Sequence, residues 1–165
     1  MEAGKSAQTE KRAIETLLDD GVYFEVERRG LFARFFKGTK KILITQPYLG
    51  TLDYLTKEYL SINFDEKKLQ ENPLSESKRL TAENTRRMAR IVAIAVLNSK
   101  WKIKLLTGYL SGYFLWRLTP SKLYNLCVLI NAISNVTDFT NSIRLTSGMR
   151  TTAPKADLIE QKAGD

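Results

Sequence analysis

Lys40-Lys41-Ile42-Leu43-Ile44-Thr45-Gln46-Pro47 is the stretch on which the fold turns. The apolar, β-branched run from Ile42 to Thr45 suits a pleated, half-buried surface, and Pro47 ends it because proline donates no ladder hydrogen bond. A partner lies upstream. Val22, Phe24 and Val26 alternate with Tyr23, Glu25 and Glu27, the period of a strand with one covered face. The connection between the two runs is too long for a tight turn, and everything beyond Pro47 carries helical spacing. The expected fold class is therefore mainly α (α+β): a small antiparallel β-hairpin over about 22–28 and 40–46, followed by a bundle of four to five helices.

Ahead of the hairpin, Ala13, Ile14, Leu17 and Leu18 place a short helix over 9–18, with Gly21 as its stop. After it, Leu49, Leu52, Leu55, Tyr59 and Leu60 share one side of a helix over 49–62, and Asp53 with Lys57 forms an i,i+4 pair on the other. Residues 63–78 are mostly polar with Pro73 in their midst, and read as a connector with room for one helical turn. A strong helix follows over 81–97. It is apolar nearly all round from Ile91 to Leu97, so that half is expected to be buried. Another helix spans 103–118. Thr119 and Pro120 supply an N-cap and a proline at the first helical position for a helix reaching Ser134, and a last short helix over 138–147 stops at Gly148. The expected organisation is one helix-rich domain over 1–150, its N-terminal helix and hairpin occupying about 8–46, with a flexible polar tail over 151–165.

A chain of 165 residues buries roughly two thirds of its unfolded surface and needs neither disulfide nor metal to hold a core. There is no histidine and one cysteine, Cys127. Ser-His-Asp and Cys-His nucleophile systems are thereby excluded, as is every usual structural zinc set. Neither a metal nor a cofactor is expected. Cys127 lies between Leu126 and Val128 and reads as a small buried hydrophobe, so a reducing cytoplasm is the expected compartment. The longest uncharged stretches of the basic segment, 105–116 and 123–137, fall short of the roughly 20 apolar residues of a bilayer span, and the polar N-terminus carries no signal-like apolar region.

The net charge of +8 sits in one block. Lysine plus arginine balance the acids over 1–83 and over 138–165, whereas 84–137 contain eight cations and no acid. Such a field favours an anionic partner: nucleic acid, an acidic protein surface or lipid headgroups. Arg86, Arg87 and Arg90, with Lys100, Lys102 and Lys104 around Trp101, would form a phosphate-binding face on which a base could stack. The plainer reading is the solvated side of a helix followed by a basic connector. No helix-turn-helix pattern or RNA-binding aromatic motif accompanies them.

Two apolar features also stand out. Leu31, Phe32, Phe35 and Phe36 lie in the connection between the strands among Arg28, Arg29, Arg34 and Lys37. They fold back over the helices, stay exposed as a binding patch, or form an amphipathic basic segment lying on a membrane surface. Gly108 and Gly112 form a Gly-x-x-x-Gly spacing beside Tyr109, Tyr113, Phe114 and Trp116, which in a chain without a membrane span implies a neighbouring helix packed closely against the two glycines. The expected partner surface combines Leu31, Phe32, Phe35 and Phe36 with Tyr109, Tyr113 and Trp116. The carboxylates show no spacing that marks a catalytic pair, so no enzymatic activity is expected.

The order of a hairpin ending in Lys40–Thr45, then Gln46-Pro47-Tyr48-Leu49-Gly50-Thr51-Leu52 opening a run of helices, then Thr119-Pro120 and a late Asp138-Phe139, resembles small prophage-encoded proteins and, more loosely, phage tail assembly chaperones. The resemblance is one of element order and size over about 22–150. It implies a cytoplasmic, largely helical, non-enzymatic protein that masks an aggregation-prone tape-measure or other tail protein during assembly. It carries over no catalytic residues, and self-association is compatible with it.

Overall fold

Val22–Glu27 (β1) and Thr39–Ile44 (β2) pair antiparallel in the register Val22↔Ile44 to Glu27↔Thr39. The period-2 alternation is realised directly. Val26 and Ile44 are fully buried and Phe24 and Ile42 half-buried, whereas Glu25 and Lys41 face each other on the solvent side. Gly21 enters β1 at φ +71°, and a Cβ there would lie 2.7 Å from the Ile44 carbonyl oxygen, so only glycine fits. The computed structural model describes residues 21–27 and 39–149. The expected helix over 9–18, the connection holding Leu31, Phe32, Phe35 and Phe36, and the tail over 151–165 lie outside the described residues.

The chain divides into two compact units, Met1–Ser134 and Asn135–Asp165. In the first, the hairpin is followed by α1 (Leu49–Leu60), α2 (Glu66–Glu71), α3 (Pro73–Leu97), α4 (Lys100–Leu115) and α5 (Pro120–Ser134). The second holds α6 (Val136–Gly148). The mainly helical architecture with one two-stranded hairpin is the one read from the sequence.

α3 is the axis of the first unit and packs against α1, α2, α4, α5 and β2. Its second half, Ile91 to Ala95, is buried all round as the apolar run predicts. Its start differs from the expectation at Thr81: the helix begins at Pro73, eight residues earlier. Proline is tolerated at the first helical position because its missing N–H would have no intrahelical partner. The polar first turns are then held by Arg79, whose Nε donates to Glu76 Oε2 at 2.9 Å and whose Nη1 donates to Glu83 Oε2 at 2.6 Å. Asp65 caps α2 by accepting the backbone N–H groups of Lys67 and Lys68 at 3.0 and 3.2 Å.

Of the side expected to be apolar on α1, Leu52 and Leu55 are buried, while Leu49 and Leu60 at the two ends stay exposed. Asp53 and Lys57 pair at 2.6 Å as expected. α4 lies three residues earlier than its sequence estimate, and α5 opens at Pro120 after Thr119. α6 runs two residues further back and one further on than expected. None of its residues is buried, and Val136, Phe139 and Ile143 fall at i, i+3 and i+7 along one side.

Candidate partner-binding face

The sharp corner between α3 and α4 is made by Asn98, which takes a left-handed conformation, φ 36° and ψ 39°, as the C-cap of α3. Asparagine tolerates this region better than other residues with a Cβ. Its side chain then ties the corner to the strand–helix joint. Oδ1 accepts the Tyr48 backbone N–H at 3.0 Å, and Nδ2 donates to Thr45 Oγ1 at 3.0 Å and to the Gln46 carbonyl at 2.8 Å. This clamp sets where α4 starts and hence which of its faces meets α3.

With 3.6 residues per turn, Ile103, Thr107, Leu110 and Phe114 share one side of α4, and this side is turned inward. Phe114 is fully buried, with ring centroids 6.0 Å from Phe24 and 5.6 Å from Tyr113. The opposite side carries Trp101, Leu105, Gly108, Tyr109 and Gly112, and Trp116 continues it at the C-cap. All six are exposed. The large members leave 70% (Trp101), 76% (Leu105), 78% (Tyr109) and 76% (Trp116) of their surface in solvent. Single exposed hydrophobes are ordinary on protein surfaces, whereas these four follow one side of a single helix.

Of the partner-binding residues expected from sequence, Tyr109 and Trp116 meet on this face, joined by Trp101 and Leu105. Tyr113 does not join them. It is half-buried, edge-on to Phe114, and the Arg117 guanidinium carbon lies 4.0 Å from its ring centroid. Leu31, Phe32, Phe35 and Phe36 lie outside the described residues. The expected packing of a neighbouring helix against the glycines is corrected: among the described residues, a Cβ at Gly108 or Gly112 would meet nothing within 4 Å. Both point away from α3 because the bulky Ile103, Leu110 and Phe114 occupy the opposite side and drive that side into the core. Trp101 and Leu105 were legible in principle, since 101, 105 and 109 repeat every four residues.

The cations of the block differ in their partners. Arg90 Nε donates to Glu58 Oε1 of α1 at 2.6 Å, and Arg87 donates to the Ser61 carbonyl just past the C-terminus of α1 and to Asn84. Two of the three arginines thus latch α3 to α1. Lys122 pairs with Glu27 at 3.6 Å. Lys100, Lys102 and Lys104 are exposed in the first turns of α4, on either side of the apolar stripe, and Arg86 is exposed on α3.

The remaining chemistry is sparse. Burial pushes the Cys127 thiol above its ordinary value, the opposite of what an activated nucleophile needs. Arg79 holds the Glu76 carboxyl below the usual carboxylate range, mainly through the side-chain hydrogen bond between them. A cleft beside the Asn98 clamp is lined by Tyr48, Thr51, Asp53, Tyr54 and Lys100, but its carboxylate is the one engaged by Lys57. Among the described residues no helix is long and apolar enough to cross a membrane. No family model, curated protein or solved structure matches the chain.

Proposed function

We propose that the chain is a non-enzymatic protein-interaction module that takes a hydrophobic helical segment of another protein onto the outer face of α4. The observation that carries the reading is the exposed stripe Trp101, Leu105, Tyr109 and Trp116, aligned on a helix whose other side is locked into the core. Aromatic anchors with few rotatable bonds provide large contact area at low ordering cost, which is why they dominate binding surfaces. The lysines flanking the stripe keep it soluble and orient an acidic client as it docks. This matches in kind a chaperone of the phage tail assembly class, working in the cytoplasm on a tape-measure or tail protein that would otherwise aggregate.

The test is co-expression with the tail-tube and tape-measure genes that lie beside this one if the resemblance holds. A soluble complex that survives gel filtration is expected, and Trp101→Ser with Tyr109→Ser should abolish it while leaving the circular-dichroism spectrum unchanged. Equal capture by the folded double variant would refute the reading. One observation favours a second reading, nucleic-acid binding: Trp101 is exposed amid Lys100, Lys102 and Lys104. Binding of a single-stranded oligonucleotide that weakens steeply with salt and is lost on Trp101→Ala would support it.

A further inference from the structure

The cleft beside the Asn98 clamp gathers positive charge that the described residues leave unanswered. α1 and α4 both open on it: Gly50 and Thr51 from the first turn of α1, and Ser99 and Lys100 from the start of α4, are part of its wall. The clamp forces this meeting, because Asn98 Oδ1 accepts the Tyr48 N–H just ahead of both helices. We propose that this cleft binds a small organic phosphate monoester, its phosphate held between the N-termini of α1 and α4 beside Lys100, and its flat apolar body against Tyr48, Tyr54 and Ile103. The site uses none of the side chains of Trp101, Leu105, Tyr109 and Trp116, and so does not rest on their role as a docking face.

Thr51 marks the place of the ligand. It keeps only 3% of its surface in solvent. The other buried hydroxyls of the described residues are engaged: Thr107 donates to the Ile103 carbonyl, and Ser134 to the Ile130 carbonyl at 2.6 Å. The Thr51 hydroxyl has no such partner among the described residues. Its Oγ1 is not sealed in the core, and the open space it borders is the cleft. Buried polar groups are nearly always hydrogen-bonded, and one left without a partner is costly. A hydroxyl fixed here on the inward side of α1, beside Leu52 and one turn before Leu55, therefore requires an acceptor from outside the chain.

The charge on the cleft requires the same kind of ligand. Thr51 and Leu52 donate their N–H groups to the Tyr48 carbonyl at 2.8 and 2.9 Å, and Ile103 donates to the Ser99 carbonyl at 2.8 Å. The N–H groups ahead of them, those of Leu49 and Gly50 in α1 and of Lys100, Trp101 and Lys102 in α4, have no intrahelical acceptor. Neither Tyr48 nor Ser99 caps its helix with a side chain, and neither first turn holds an acid. Each N-terminus carries about half a positive charge, so the two together with Lys100 make about +2. A phosphate monoester brings about −1.5 to −2 at neutral pH, whereas a carboxylate would leave half of that charge unmet. Asp53, the acid among the described residues lining the cleft, is paired with Lys57 at 2.6 Å within α1. At Gly50 a Cβ would meet nothing within 4 Å, so the backbone at the second position of α1 is open to an approaching phosphate.

The rest of the wall sets the size and character of the body. Tyr54 is half-buried, Ile103 is buried and Tyr48 is exposed at the rim. The cavity volume is about 310 Å³, at the lower end of ligand pockets, which suits one ring and its phosphate.

The experiment is thermal unfolding of the full chain at fixed ionic strength with phenyl phosphate, inorganic phosphate or phenol. Phenyl phosphate should raise the melting temperature saturably, by about 3–5 °C at roughly ten times its dissociation constant. Inorganic phosphate should act more weakly, and phenol not at all. Thr51→Val should melt at or above wild type, since its hydroxyl has no partner to lose, and should bind phenyl phosphate several-fold more weakly, as should Lys100→Gln. Gly50→Asp places a carboxylate where the dipole favours one; it should melt above Gly50→Asn and no longer respond to phenyl phosphate. Arg86→Ala, which removes an exposed cation of α3, should respond as wild type does.

No shift with phenyl phosphate, an equal shift with phenol, or inorganic phosphate acting as strongly as phenyl phosphate would each overturn the proposal. So would an undiminished response of Thr51→Val and Lys100→Gln, a response lost on Arg86→Ala, or Gly50→Asp and Gly50→Asn chains that melt together.

Discussion

Asn98→Ala tests the argument that the α3–α4 corner depends on one side chain. The substitution removes three hydrogen bonds, to the Tyr48 N–H, to Thr45 Oγ1 and to the Gln46 carbonyl. At a net 0.5–1 kcal/mol each for partly exposed bonds, that is about 2 kcal/mol. It also forces a residue without the local compensation of asparagine into the left-handed region, at about 1 kcal/mol more. Because the three bonds share one side chain they do not add fully, and a total of about 2–3 kcal/mol is expected. Asn98→Gly removes the same bonds but is at ease at positive φ, so it should be milder than alanine by about 1 kcal/mol. The assay is urea unfolding followed by helical circular dichroism, with an unchanged m-value as the sign that the folded state is the same. Two variants within about 0.5 kcal/mol of wild type, or a glycine variant no better than alanine, would refute the reasoning.

Phe114→Ala should lower stability by about 3–5 kcal/mol, since its fully buried ring bridges β1 and α4; a calorimetric scan checks it. The Arg90–Glu58 pair is half exposed on the arginine side, so a double-mutant cycle to alanine should give a coupling of only about 0.5–1 kcal/mol. Glu76 has its pKa lowered in the folded chain by Arg79. Its folded form therefore holds the proton less tightly than the unfolded form, and the stability it contributes is present above the ordinary carboxylate range and lost as pH falls through it. Glu76→Gln should flatten the acid limb of a stability-versus-pH curve measured by thermal melts.

The strands and the helical register could be read from residue order alone because both rest on local periodicity. Val22, Phe24 and Val26 repeat every two residues, and Ile91 to Leu97 leave a helix no polar side, so any fold containing them must cover them. Pro120 after Thr119 marks a helix start by the same local logic. Pro73 carries that signal too, but the polar residues behind it look like a connector until Arg79 is seen between Glu76 and Glu83. What tertiary structure alone decided was which apolar residues of α4 are left over. Tyr109, Tyr113, Phe114 and Trp116 are alike as letters. The Asn98 clamp and the packing of Ile103 against α3 send Phe114 inward, Tyr113 to the boundary, and Tyr109 and Trp116 out with Trp101 and Leu105. The same step parted the arginines that hold α1 from the lysines around the stripe. A run of like charges constrains only its neighbours along the chain, whereas Glu58 reaches Arg90 from 32 residues away, and only folding brings such partners together.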